Sequence, residues 1–168
     1  MKKDNRTTKK DYAESKYGFQ SLADLLRFID DETPDPDRLH AAKAMFFNLI
    51  SVDTNSGNET LKYKLFHLSK SLTATQLAIL SAVYNIYKRD PNHGFSGGAN
   101  AWLNEVSKEM GHGVKSLVES EEKALEDYSL ITPRIHADRS GVNPNNCRFT
   151  DLGIKFCERL ADYGKELS

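Results

Sequence analysis

Five histidines are the residues of this chain best suited to metal binding or proton transfer, and their spacing brings none of them together. His40, His67, His93, His112 and His136 form no HxxxH, HExxH or cysteine-paired arrangement that would set ligands on one face. Cys147 and Cys157 have no CxxC partner and read as packed thiols. The carboxylate pairs Asp30-Asp31 and Glu121-Glu122 read as helix-end or solvated-face charges, and no serine sits in a Gly-x-Ser-x-Gly elbow. Gly94-Phe95-Ser96-Gly97-Gly98 has the composition of a phosphate cradle, but no lysine follows Gly97-Gly98, so a connecting loop is the better account. The expectation is a protein that is not an enzyme, with no metal and no cofactor. What chemistry remains is electrostatic. It rests on Lys108, His112, Lys115 and Ser116 around one glycine turn, and on Arg134, Arg139 and Arg148 further along.

The elements that must position these groups are mostly helical. A chain of 168 residues fits one domain, or two small ones sharing a core. With 39% hydrophobic and 28% charged residues it can fill such a core and stay soluble, and it holds no run of about 18 apolar residues that would suit a membrane span. Met1-Lys2-Lys3-Asp4-Asn5-Arg6 lacks the apolar stretch of a secretory signal, so a cytoplasmic location with reduced thiols is expected and no membrane is a partner. Residues 1–17 carry six basic side chains against three acidic ones, net +3, and read as a flexible basic arm.

Residues 18–72 read as a helical extension. Leu22, Leu25, Leu26 and Ile29 recur at helical spacing, with Ser21 as a candidate cap. Asp35 and Pro36 open a second helix that turns Leu39, Ala42, Met45, Phe46, Leu49 and Ile50 inward. After a turn at Asn55-Ser56-Gly57-Asn58 comes a third helix with Leu61, Leu65, Leu68 and Leu72. Thr73 and Gln76 form a capping box for a fourth, whose apolar residues from Leu77 to Tyr87 spread round a wide arc. That arc predicts burial on more than one side, so residues 18–168 are expected to pack as one unit. Phe46, Phe47, Leu61, Tyr63 and Leu65 exceed what a short three-helix layer needs, which points to a homodimer through the N-terminal helices.

From residue 73 onwards the order of signals resembles a winged helix-turn-helix. A long apolar helix (73–89) is followed by two shorter ones (99–110 and 114–128), with Gly111-His112-Gly113 between them. Trp102, Leu103, Val106 and Met110 face inward from one, and Val114, Leu117, Val118, Leu125 and Tyr128 from the other. Leu125-Glu126-Asp127-Tyr128-Ser129-Leu130-Ile131 then resembles the passage from recognition helix to first wing strand, with Ser129 where many relatives carry glycine. Asp138 to Asn146 makes a polar turn, and Arg148-Phe149-Thr150-Asp151-Leu152-Gly153 resembles the return strand entering a last helix. Thr150 is its expected cap, and Gly153 a point of close packing. The resemblance implies a mainly α protein with a small β-hairpin wing, at 131–135 and 147–149, on a winged-helix domain over 73–168.

A second stretch, 37–80, is similar to the helical region of the bacterial abortive-infection alpha family. It carries Met45-Phe46-Phe47-Asn48-Leu49-Ile50, and Leu68-Ser69-Lys70-Ser71-Leu72-Thr73 approximates the family's Leu-Ser-x-Leu-Thr element. That likeness implies a phage-defence setting.

The winged-helix likeness implies DNA binding of the kind used in transcription regulation, and charge is its test. Over 114–128, Lys115 and Lys123 stand against Glu119, Glu121, Glu122, Glu126 and Asp127, an excess of three negative charges that phosphates would repel. Only the first turns of a recognition helix usually reach base edges, however, and those hold His112, Lys115 and Ser116, with Lys108 nearby. Arg134, Arg139 and Arg148 against Asp138 make the wing positive. Two readings therefore stand. One is a DNA-binding protein using helix tip, wing and arm; the other is a protein-interaction module whose acidic helix meets a basic partner.

Overall fold

A computed structural model of the protein describes residues 16–51, 57–95, 100–134 and 147–166. Among the described residues there are seven helices: α1 (Lys16–Glu32), α2 (Pro36–Ile50), α3 (Gly57–Ser71), α4 (Ala74–Arg89), α5 (Ala101–Glu109), α6 (Lys115–Asp127) and α7 (Asp151–Glu166). They divide into two compact units, Met1–Leu72 with Arg159–Ser168, and Thr73–Glu158. The basic arm at 1–15 lies outside the described residues.

In the first unit, Asp35 caps α2 by accepting from the backbone N–H groups of Asp37 and Arg38, and Pro36 takes the first helical position. α2 and α3 pack closely through Met45, Phe46, Leu49, Leu65, Phe66 and Leu68, all buried. Two cations tie off helix ends. Arg38 donates from Nε to the Leu72 carbonyl and from Nη2 to the Lys70 carbonyl, both at 3.1 Å, beside an ion pair to Glu32. Lys62, itself buried, donates to the Ser51 carbonyl at 2.7 Å, just past the end of α2. Basic groups on terminal carbonyls satisfy acceptors that the helix cannot. α1 begins at Lys16, five residues before Ser21. Ser21 is therefore no cap: it is buried within the helix and its hydroxyl donates to the Tyr63 hydroxyl at 3.2 Å.

The second unit is built from α4, α5, α6 and the first turns of α7. The capping box of α4 is complete: Thr73 Oγ1 accepts from the Gln76 N–H, and the Gln76 side chain accepts from the Thr73 N–H. Its core holds Leu80, Val83, Trp102, Val106, Val118, Leu125, Leu130, Ile131 and Phe156. α6 ends as the sequence implies it must. Ser129 adopts φ 60°, with Leu130 N–H bonded to the Leu125 carbonyl and Ser129 N–H to the Glu126 carbonyl. That is a Schellman closure with serine in the left-handed position where glycine is usual. Thr150 caps α7, accepting from the Gly153 N–H at 3.0 Å and donating to the Ser129 carbonyl at 2.7 Å. Gly153 sits so close to Leu130 that a Cβ would lie 2.2 Å from the Leu130 carbonyl oxygen.

The hairpin wing is corrected. Among the described residues there is no strand; what joins the two segments is one antiparallel bridge, Ile131 to Phe149. Thr132 N–H to Arg148 O (2.7 Å) and Thr150 N–H to Leu130 O (3.3 Å) flank it. The reason lies at Cys147 and Arg148, which both take positive φ, 57° and 65°. Two successive left-handed residues turn the backbone and leave no extended stretch to continue a ladder. Residues 135–146, where the tip of a wing would fall, lie outside the described residues.

Candidate nucleic-acid interface

The turn between α5 and α6 is made by glycine. Gly111 (φ 84°) donates to the Lys108 carbonyl and Gly113 (φ 66°) to the Ser107 carbonyl, conformations that other residues adopt at a cost. Between them His112 is exposed, and its Nδ1 accepts from the Val114 N–H at 2.9 Å. In the neutral ring this leaves the proton on Nε2. α6 then starts without a side-chain cap, Val114 being in the cap position. The N–H groups of its first turn accordingly lack the oxygen partner that caps usually supply. Lys108, Lys115 and Ser116 are all exposed around this start. So are Val114 (48%) and Leu117 (38%), which the helical pattern had placed inward.

The arginines go elsewhere. Arg148 is only 3% exposed and lies over the Trp102 ring, its guanidinium carbon 4.4 Å from the centroid. Nη1 meets Glu122, Nη2 meets Glu126 at 3.0 Å, and Nε donates to the Thr132 carbonyl at 2.8 Å. Trp102 completes the setting by donating its indole N–H to the Cys147 carbonyl at 3.3 Å. Arg134 pairs with Glu122 at 2.8 Å and Glu119 at 3.3 Å. Burial lowers the Arg148 pKa against the pull of Glu122. Arg134, nearer the surface, goes the other way, because Glu122 and Glu119 outweigh its burial. Both stay charged.

This arrangement accounts for the acidity of α6. Glu119 and Glu122 hold Arg134, Glu122 and Glu126 hold Arg148, and Gln76 donates to Glu121 at 2.8 Å. Asp127 pairs with Lys123 at 2.7 Å. Counting the two arginines, four cations stand against five anions, and most of the acidic charge is turned to intramolecular use. Of the sequence-derived surface, Lys108, His112, Lys115 and Ser116 fall together on the turn and helix start. Arg148 is withdrawn into the core, Arg134 is engaged at the surface, and Arg139 lies outside the described residues. Sequence reasoning missed the roles of Trp102, Glu122 and Glu126; no local pattern marks partners 26 or 46 residues away.

Elsewhere, a cavity of about 490 Å³ in the first unit is lined by Asp24, Asp31 and Glu32 against Arg27, Arg38 and Lys70, with His67 beside them. Its opposed charges cancel, and Arg38 is committed to helix ends. Among the described residues no group of three or more His, Cys, Asp or Glu is placed to hold a metal ion, and no helix is long and apolar enough to cross a membrane. No family model, no curated protein and no solved structure matches this chain.

Proposed function

We propose that the second unit binds duplex DNA in helix-turn-helix fashion, presenting the start of α6 to the major groove. The observation that carries this reading is the uncapped, exposed start of α6 with Lys115 and Ser116 on it and Lys108 and His112 leading into it. Free backbone N–H groups and the positive end of the helix dipole favour a phosphate there, and the lysines add charge. Engagement of Glu119, Glu122 and Glu126 by Arg134 and Arg148 reduces the repulsion that the bare sequence implies. Fluorescence anisotropy on a mixed-sequence duplex across a salt series tests it. Affinity should fall linearly on logarithmic axes, with a slope of roughly −0.9 for each phosphate neutralised. Binding that is absent at low salt, or indifferent to salt, sinks the proposal.

One observation favours a second reading, a protein-interaction module. Val114 and Leu117 put apolar surface at the start of α6, where a protein partner would bury it. The acidic face offers a basic partner less than its sequence suggests, since its carboxylates already have partners.

A further inference from the structure

α1 carries two seams with the same spacing, one residue apart. Gly18, Ser21, Leu25 and Phe28, at steps of three, four and three, are buried. Phe19, Leu22, Leu26 and Ile29 repeat the same steps one position later. Phe19 is 69% exposed, Leu22 37% and Leu26 53%, with Ile29 half-buried. Apolar residues recurring every 3.5 positions are the pattern by which one helix packs along another. Here the first seam is filled from within the unit and the second is open.

The charges on α1 say which way a covering helix runs. Its first turn has no acidic residue and its last turn no basic one; Lys16 opens it, and Asp30, Asp31 and Glu32 close it, all three exposed, with Glu32 already paired to Arg38 of the next helix and Asp30 and Asp31 in no ion pair among the described residues. Each end thus bears the sign that its own helix dipole disfavours. An antiparallel copy of the same helix corrects both ends at once, since each acidic C-terminal end then lies beside a basic N-terminal one. The seam is also symmetric under such a reversal: Phe19 meets Ile29, Leu22 meets Leu26, and Ala23, a small residue, falls near the two-fold axis. Lys16 and Asp30 lie seven residues either side of Ala23, on the same flank.

None of the segments outside the described residues repeats the spacing of the seam. Residues 1–15 contain Met1, Tyr12 and Ala13 but no repeating apolar spacing, and 52–56, 96–99, 135–146 and 167–168 are short and mostly polar. We propose that the seam Phe19, Leu22, Leu26 and Ile29 is a self-association surface, on which a second copy of this chain packs its own α1 antiparallel about an isologous two-fold axis. A seam of about three turns belongs to the small end of interface sizes, so the dimer forms and separates with concentration.

Sedimentation velocity on the full chain, from about 5 to about 300 µM, is the first test. The weight-average mass should climb from 18.9 kDa towards twice that value. Leu22→Glu with Leu26→Glu should hold it at the monomer while the helical circular dichroism stays unchanged. Phe19→Ser, at the most exposed position, should weaken association alone, and keeps the test decisive if the double variant misfolds. Orientation is read by mixing Lys16→Cys and Asp30→Cys chains in a glutathione buffer, the native Cys147 and Cys157 being buried. Antiparallel packing gives the mixed 16–30 disulfide. A wild-type chain that stays monomeric, a dimer indifferent to Leu22 and Leu26, or cross-links only between like positions would overturn the proposal, as would vesicle binding by a monomer through the same seam.

Discussion

Arg148 and Glu122, 26 residues apart, meet as a buried ion pair on one side of the Trp102 ring, at 3% and 7% side-chain exposure. This contact holds the segment 147–149 against the middle of α6, beside the turn at Cys147 and Arg148 that leads into the bridge between Phe149 and Ile131. A surface lysine in place of Arg148 would lack the forked donors that reach Glu122, Glu126 and the Thr132 carbonyl together.

Removing one member of this pair should therefore cost more than any surface change. Glu122→Gln leaves a buried guanidinium short of its main counter-charge, and such orphaned charges cost about 3–5 kcal/mol. Urea unfolding followed by circular dichroism should show that loss. Glu119→Gln, at 57% exposure, should lose under about 1 kcal/mol. Equal effects from the two would mean that Arg148 is not anchored as described.

Ser129 and Gly153 give a pair of opposite predictions. Ser129 holds a left-handed conformation that glycine adopts without strain, so Ser129→Gly should stabilise by a few tenths to about 1 kcal/mol after the entropy lost by glycine is counted. Gly153→Ala should destabilise by about 1–3 kcal/mol, since the new methyl has the Leu130 carbonyl and the Phe149 ring in its way. Thermal melts of the two variants should move in opposite directions.

Features that depend on neighbours in sequence were legible before the fold was known. The Thr73–Gln76 box, the Asp35–Pro36 start and the Thr150 cap each need only three or four adjacent residues, and all are present. Ser21 shows the limit. Its composition suits a cap, but Tyr63, 42 residues on, supplies its hydrogen bond and the helix runs through it. Val114 and Leu117 show another, because helical spacing marks an apolar face without saying whether anything covers it. Of the candidate site, the part on the glycine turn was readable. Withdrawal of Arg148 was not, since it depends on Trp102 and two glutamates brought together only by folding.

The thiols should be silent in the native protein. Burial pushes Cys147 up to about 11, with Asp90 and then Glu105 adding to it, and burial pushes Cys157 higher still. At pH 8 a disulfide reagent should find neither thiol until denaturant is added, and then both. The sign of the pH effect follows. A raised pKa favours the folded state fully below the unfolded value of 9.0, and that stability is lost as pH climbs towards about 11. Rapid labelling of one thiol per chain at pH 8 would show that Cys147 is open to solvent.

The DNA reading is best tested at residues that the fold leaves available. Lys108→Ala and Lys115→Ala should each weaken duplex binding and lower the salt slope by about 1, because each removes one phosphate contact, and both side chains are exposed with no ion pair among the described residues. Arg148 is unsuited to this test, as are Glu121 and Glu122, since changing them disturbs Gln76 or the buried pair. Glu119→Gln serves instead. It removes one exposed negative charge while Arg134 keeps Glu122 at 2.8 Å, so duplex affinity should rise slightly. If α6 meets a basic protein, the same change should weaken that complex, and if it meets an apolar one, Leu117→Asp should abolish binding while Glu119→Gln leaves it alone. The sign at Glu119 thus separates the classes with a variant expected to fold. Unchanged duplex affinity with Lys108 and Lys115 both replaced would end the DNA reading.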